Sequence, residues 1–102
     1  MPDRPPPPTP IHDPAYTLDD FARFVHNARF RFAKTMAHIP HHYTVCTWND
    51  DTAFRKAAGF IADHGYKRMW GRREFTYLEH NGFKYWHMGH VINREKLPEA
   101  KP

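Results

Sequence analysis

The chain has 102 residues, of which 40% are hydrophobic and 25% charged, and its formal net charge is +4. This length corresponds to about one domain, which excludes a large multi-step enzyme. The composition is ordinary for a soluble globular protein, and no apolar run reaches the roughly 18 residues that a membrane span needs. We therefore expect one small domain without a membrane partner.

The N-terminal residues and the cysteine content bear on the cellular compartment of the protein. Residues 1–10 contain no apolar run typical of a secretion signal. Cys46 is the one cysteine in the sequence, so no internal disulfide can form. These features favour the reducing cytoplasm.

Basic and aromatic residues are both abundant. Fifteen Lys and Arg residues stand against eleven Asp and Glu, nine histidines are present, and 16% of residues are aromatic. Basic side chains together with aromatic rings are typical of surfaces that bind RNA, single-stranded DNA or a nucleotide. The alternative is that a small domain uses large rings to fill its core.

Proline-rich and polar segments mark the ends of the domain. Residues 1–14 predict an extended arm, because prolines fix φ and lack an amide donor. We expect this arm to be solvated, and a strap across a partner subunit is the alternative. The folded domain is expected over 15–96, with a polar tail over 97–102.

The first helix is predicted to start at Thr17 and to run to about Lys34. Thr17 and Asp20 have the spacing of a capping box. An apolar stripe at helical spacing follows. Its members are Phe21, Phe24, Val25, Ala28 and Phe32.

A loop, a strand and a second helix are predicted next. Pro40 excludes regular structure in the loop over 38–42, and alternating β-branched and aromatic residues predict a strand over 43–48. Asn49, Asp50 and Asp51 are expected to cap the second helix, which ends at Gly65 with a left-handed C-cap. The apolar stripe of this helix consists of Phe54, Ala57, Ala58 and Ile61.

The pair Asn81-Gly82 predicts a β-hairpin with a two-residue type I′ turn. In the resulting register Tyr77 faces Trp86 and Glu79 faces Lys84, which are favourable cross-strand pairs. Both faces of the hairpin carry apolar or aromatic residues, so the second face is either covered or a binding platform. Residues 66–70 predict a further strand.

Metal, cofactor and nucleophile motifs are missing from the sequence. His38, His41 and His42 lie together, and His87 and His90 are three apart, but neither group has the spacing of a zinc site. No phosphate-binding glycine loop and no dinucleotide fingerprint is present. We therefore expect no metal and no cofactor.

Histidines also allow a second hypothesis, cleavage of RNA without a metal. Such a reaction needs an acid, a base and a cation that holds the phosphate. His42 and His87 are the candidate acid and base, and Arg72 or Arg94 is the candidate cation. Nothing in the spacing requires these residues to meet, and packed or hydrogen-bonded histidines are the alternative.

A basic cluster surrounds Trp70 and Gly71. Glycine lets a ligand approach the backbone closely, while the indole and the guanidinium groups flank it. Phosphate contact or base stacking is one interpretation, and solvated cations around a core tryptophan is the other. The cluster consists of Lys67, Arg68, Arg72 and Arg73.

Several segments together resemble a pattern in small uncharacterised bacterial and phage proteins. The segments are Lys34-Thr-Met36, Pro40-His-His-Tyr43, Phe75-Thr-Tyr-Leu, Gly82-Phe-Lys-Tyr-Trp-His-Met-Gly and Ile92-Asn-Arg94. The resemblance covers roughly residues 20–95 and implies a self-contained fold and a phage or mobile-element origin. It implies no activity and no catalytic residue.

The sequence thus predicts an α+β domain with two helices packed on a small antiparallel sheet, in the order α-β-α-(β)-β-β. The predicted function is binding of RNA, single-stranded DNA or a nucleotide. Two alternatives stay open: a histidine-based phosphodiesterase, and a protein-interaction module such as a phage-type inhibitor or a homo-oligomer. The candidate ligand-binding residues are His38, His41, Lys67, Trp70, Arg72, Arg73, Tyr85 and Arg94, with His87 beside them.

Overall fold

A computed structural model describes residues 8–33, 43–48 and 50–98. Within these ranges the chain forms two helices and six strands. The helices are α1 (Leu18–Asn27) and α2 (Asp51–His64). The strands are β1 (Arg29–Ala33), β2 (Tyr43–Thr47), β3 (Tyr66–Trp70), β4 (Arg73–His80), β5 (Phe83–Met88) and β6 (Val91–Lys96).

All six strands belong to one antiparallel sheet with the order β1-β2-β6-β5-β4-β3. The helices pack on one face of this sheet, where Phe21 of α1 and Phe54 of α2 are completely buried. The predicted α+β class is therefore confirmed. Neither helix within the described ranges is long and apolar enough to cross a membrane.

Helix α1 begins as predicted and ends earlier than predicted. Thr17 is its N-cap, and the side chains of Thr17 and Asp20 form the expected capping box. The helix ends at Asn27, and residues 29–33 form strand β1 instead of two further helical turns. The physical reason is that Arg and Phe alternate over 29–32, which is the two-residue period of a strand and not a helical period.

Helix α2 matches its prediction except at the C-cap. The Asp50 carboxylate accepts hydrogen bonds from the amides of Thr52 (3.0 Å) and Ala53 (3.3 Å). Gly65 has φ −81° and is extended, so the predicted left-handed cap is wrong. Glycine is needed for another reason: a Cβ here would lie 2.5 Å from the carbonyl oxygens of Ile61 and Tyr77.

The β4–β5 hairpin has the predicted register. Tyr77 pairs with Trp86 and Glu79 pairs with Lys84. Asn81 and Gly82 both have positive φ, 50° and 83°, as a type I′ turn requires. The predicted strand over 66–70 is confirmed as β3, at one edge of the sheet.

Strand β6 was not predicted, although it lies in the middle of the sheet between β2 and β5. Its residues Asn93, Arg94 and Glu95 are polar and hide the strand pattern. In the structure Asn93 and Glu95 are buried, and Glu95 forms an ion pair with Lys84 at 3.3 Å. Tertiary pairing on both sides of the strand therefore overrides a weak local signal.

One face of the β4–β5 hairpin points towards the helices and is covered by them. For this face, the first of the two predicted alternatives, a covered surface, is therefore correct. Tyr85 is 2% exposed, and its ring lies edge-on to Phe21 at 5.3 Å between centroids. Cys46 and Ile92 lie in the same core. Burial raises the pKa of the Cys46 thiol to about 11, so this side chain is a protonated, buried core residue at neutral pH.

Residues 9–13 lie along α2 of the same chain. The Ile11 amide donates to the Arg55 carbonyl oxygen (2.9 Å), and Arg55 Nε donates to the Thr9 carbonyl oxygen (2.8 Å). Gly59 permits this approach, because a Cβ there would lie 2.0 Å from the Ile11 carbonyl oxygen. This part of the predicted arm is therefore anchored and not solvated. Residues 1–7 and 99–102 lie outside the described ranges.

Candidate functional site

The turn that joins β3 to β4 carries the basic cluster found in the sequence. All five residues of β3 are exposed, with Met69 at 62% and Trp70 at 51%. Gly71 has φ +64° and open space around it, so it makes the turn and leaves the backbone accessible. The alternative role of Trp70 as a core anchor does not fit this exposure.

Strand register gives the β3–β4 hairpin a face on which rings and guanidinium groups alternate. Side chains of directly opposed residues point to the same side of a sheet, and so do those two positions along a strand. Three cross-strand pairs thus share one side, with about 7 Å between successive pairs. We call this surface the aromatic-basic face. Its pairs are Tyr66–Tyr77, Arg68–Phe75 and Trp70–Arg73.

Cations predominate on this hairpin. Residues 66–77 contain four Lys or Arg residues and one carboxylate, Glu74. Glu74 lies 3.9 Å from Lys67, and the Arg68 guanidinium lies 5.6 Å from the centre of the Tyr66 ring. Within the described ranges, no carboxylate forms an ion pair with Arg72 or Arg73.

Glu79 lies at one end of the aromatic-basic face. It is one strand period beyond Tyr77, and its carboxylate interacts electrostatically with the Tyr66 hydroxyl. Partial burial and the Glu79 charge raise the pKa of Tyr66. Tyr66 therefore stays protonated at neutral pH, whereas the opposite end of the face, at Trp70 and Arg73, is positively charged and exposed.

Tyr85 and Arg94 are brought together, at a distance from the basic hairpin. They are directly opposed on β5 and β6, and the charge of Arg94 counteracts the rise that burial causes in the pKa of Tyr85. They line a cavity of about 830 Å³ between α1 and the sheet. His80 also lines it, and it is seven residues from Arg73 along β4, or about 24 Å. The predicted ligand-binding residues thus occupy two separate places.

His87 is a packed residue of the helix-facing side. Its ring is edge-on to Phe54 at 5.5 Å, and its Nε2 donates to the Gly89 carbonyl oxygen at 2.7 Å. Burial lowers its pKa. His42, the other half of the hypothetical catalytic pair, lies outside the described residues, so the pair stays a prediction.

The loop histidines His38 and His41 also lie outside the described residues. Within the part of the chain that the structure describes, no three His, Cys, Asp or Glu side chains form a group that could hold a metal ion.

A second cavity, of about 590 Å³, lies between α1 and α2. Its lining includes three carboxylates and three cations, so its charges largely compensate one another. They are Asp13, Asp20, Asp50, Arg23, Arg29 and Lys56. Because of this balance, the second cavity is a weaker candidate for an anion-binding site than the cavity that Arg94 lines.

Sequence reasoning missed the residues that position Arg94. Phe30 and Phe83 lie on either side of its guanidinium group, at 4.1 and 4.4 Å from the ring centres, and Thr44 accepts from its Nε at 2.9 Å. The alternation of Arg and Phe over 29–32 was the available signal, because it places Phe30 on the inner face of a strand. This signal was not recognised, because the first helix was predicted to continue to about Lys34.

Comparison with known proteins gives no match: neither a protein-family model nor a curated protein nor a solved structure is similar to this chain. The resemblance to small bacterial and phage proteins therefore stays a prediction.

Proposed function

We propose that this protein binds single-stranded nucleic acid, RNA or DNA, on the aromatic-basic face of the β3–β4 hairpin. The observation that carries the proposal is the exposed edge strand β3, on which Tyr66 and Trp70 alternate with Arg68. Arg73 lies on the same face and Arg72 in the adjoining turn, while Lys67 points to the other side of the hairpin, so the local charge is positive.

The chemistry of a single strand matches this surface in two ways. Its phosphates attract cations and release counterions on contact, which provides affinity without sequence preference. Its unpaired bases have free faces that stack on aromatic side chains and on guanidinium planes. In a duplex the base faces are stacked on one another, so a duplex offers this surface its phosphates alone.

Fluorescence anisotropy with a labelled single-stranded RNA tests the proposal. We expect binding that weakens as salt rises, and weaker binding of a duplex of the same length. Lack of binding at low salt, or equal affinity for single strand and duplex, would overturn it. Polyglutamate is the control for simple charge attraction, since it has no rings to stack.

The exposure of Met69 and Trp70 also favours a second candidate, a protein-interaction surface. Strand β3 pairs with β4 on one side, and within the described ranges nothing pairs with its other side. Unpaired edges can accept an extended segment of another protein. Lys67 and Arg68 oppose pairing with a second copy of the same strand, because like charges would meet. The partner would then be an acidic segment, and the polyglutamate control detects that outcome.

A further inference from the structure

A second basic region lies at the other end of β4, in the cavity that Arg94 lines. Its volume is about 830 Å³, and helix α1 forms one wall of it. Among the residues that the structure describes, the lining contains no carboxylate, and it includes three arginines and two histidines. We call it the Arg94 cavity. Its basic residues are His26, Arg29, Arg31, His80 and Arg94.

Arg94 is held in place before any ligand arrives. The two rings of Phe30 and Phe83 sandwich its guanidinium group, and Thr44 fixes its Nε. A guanidinium group has five N–H donors in one plane, and within the described ranges one of them, Nε–H, donates to a side chain, that of Thr44. Donors therefore remain for a ligand in the cavity.

The charge of Arg94 has no counter-ion within the described ranges. No carboxylate there forms an ion pair with it, although it is partly buried between two rings. A cation withdrawn from water is costly unless an anion or several hydrogen bonds compensate it. The two rings and Thr44 compensate this cost in part, and a bound anion would complete the compensation.

Phosphate is the anion that fits a fixed, planar donor group. Arginine donates two parallel hydrogen bonds to a phosphate, which gives both geometry and affinity. The cavity is much larger than a phosphate ion, and Val25 and Phe83 give it an apolar wall. A phosphate monoester with a planar, nucleoside-sized group would therefore fill it better than the ion alone.

We propose that the Arg94 cavity binds the phosphate of a nucleoside monophosphate, either free or at the end of a nucleic acid strand. The proposal goes beyond the function of the β3–β4 hairpin and stands independently of it, because the two regions share no residue. Free nucleotide and strand end present the same chemistry, and the experiment distinguishes them.

Isothermal titration calorimetry measures the contribution of the phosphate. The probes are adenosine 5′-monophosphate, adenosine and inorganic phosphate, each against the wild-type protein and Arg94→Gln. We expect the monophosphate to bind roughly 10- to 150-fold more tightly than adenosine, as for hydrogen bonds to a charged group. Arg94→Gln should remove this advantage. Arg23→Gln is the matched control, because Arg23 is a cation of α1 outside the cavity.

A second variant keeps the test valid if Arg94→Gln does not fold. His26 of α1 is exposed and lines the cavity, so His26→Ala should fold normally and weaken the monophosphate several-fold. Equal affinities for monophosphate and adenosine, or unchanged affinity in both variants, would overturn the proposal.

Oligonucleotides with a 5′-phosphate or a 5′-hydroxyl then distinguish the two sources. If the ligand is a strand end, the 5′-phosphate strengthens oligonucleotide binding, and Arg94→Gln cancels the gain. If the ligand is a free nucleotide, the 5′-phosphate has no effect while the monophosphate still binds. Failure of the hairpin to bind nucleic acid would leave the monophosphate result unaffected, so the two proposals fail separately.

Discussion

The β3–β4 hairpin and the Arg94 cavity use the same two kinds of side chain in opposite ways. On the hairpin, Trp70 is half exposed and its neighbouring cations extend into solvent. In the cavity, two rings enclose Arg94, and helix α1 limits access to it. Composition alone does not distinguish these regions, and the register of the sheet does.

This difference has consequences for salt dependence and for specificity. Exposed cations are screened at physiological ionic strength, so the hairpin should bind any single strand and lose affinity steeply with salt. A partly buried, fixed guanidinium is screened less and recognises the geometry of its anion. We therefore expect a sequence-tolerant surface at one end of β4 and a selective site at the other.

The largest expected effect comes from removal of the four hairpin cations together. The variant Lys67→Gln/Arg68→Gln/Arg72→Gln/Arg73→Gln should bind single-stranded RNA on the order of a hundredfold more weakly at low salt. The slope of log K against log salt should fall in magnitude by about 2, because the three arginines can contact phosphates from the aromatic-basic face and each contact on a single strand contributes about 0.7. Anisotropy at several salt concentrations measures both quantities.

The affinity of this variant for adenosine 5′-monophosphate is its internal control. That affinity should stay the same, because none of the four residues lines the Arg94 cavity. An unchanged salt slope for RNA would show that the phosphates contact another part of the protein, and it would break the distinction between the two regions.

A smaller effect is expected from the tryptophan alone. Trp70→Ala should cost roughly 1–3 kcal/mol of RNA binding, since stacking of one base on an aromatic ring contributes about that amount. Trp70→Phe should recover most of it. Leu18→Ala is the matched control, because Leu18 is also half exposed, at 50%, and lies on α1. Equal losses in Trp70→Ala and Leu18→Ala would contradict base stacking at the hairpin.

Thermal unfolding without ligand should separate the two regions by stability. Arg94→Gln should destabilise the fold by about 1–3 kcal/mol, because the variant loses two ring contacts and the bond to Thr44. Arg73→Gln should change the free energy of unfolding by no more than about 0.5 kcal/mol, as at exposed positions generally. Similar melting temperatures for both variants would show that Arg94 is not held as described.

The smallest effect concerns His87 and pH. Its pKa is lower in the folded than in the unfolded protein, so the unfolded state takes up the proton first as the pH falls. The contribution of His87 to stability is complete above the unfolded pKa of about 6.5 and decreases as the pH falls below it. His87→Gln should therefore reduce the loss of melting temperature between about pH 7.5 and pH 5.

Leu18→Ala is the matched control for this pH dependence, because it removes an exposed side chain that does not titrate. It should keep the wild-type pH dependence of the melting temperature. An unchanged pH dependence in His87→Gln would mean that burial of His87 does not oppose its protonation.

Local sequence signals predicted the elements that short-range chemistry determines. The capping box at Thr17, the N-cap at Asp50 and the turn at Asn81-Gly82 each depend on residues within three positions, and all three were predicted correctly. Strands β1 and β6 depend on pairing with distant segments, and both were missed. The polar residues of β1 and β6 are accommodated in strands only because the neighbouring strands of the sheet pair with them.

The candidate sites divide in the same way. The basic cluster around Trp70 is contiguous in the sequence and could be identified from it. The Arg94 cavity assembles Phe30, Thr44, Phe83 and Arg94 from four different strand regions. No spacing rule connects such residues, so the structure was needed to find them.

Amide chemical-shift mapping tests the central claim most directly. A two-dimensional ¹H–¹⁵N spectrum is recorded with a short 5′-hydroxyl RNA strand, which lacks the terminal phosphate expected in the Arg94 cavity. The account predicts that the shifted amides cluster in residues 66–77 and that the changes disappear at high salt. Shifts centred on α1, α2 or β1, with residues 66–77 unchanged, would contradict it.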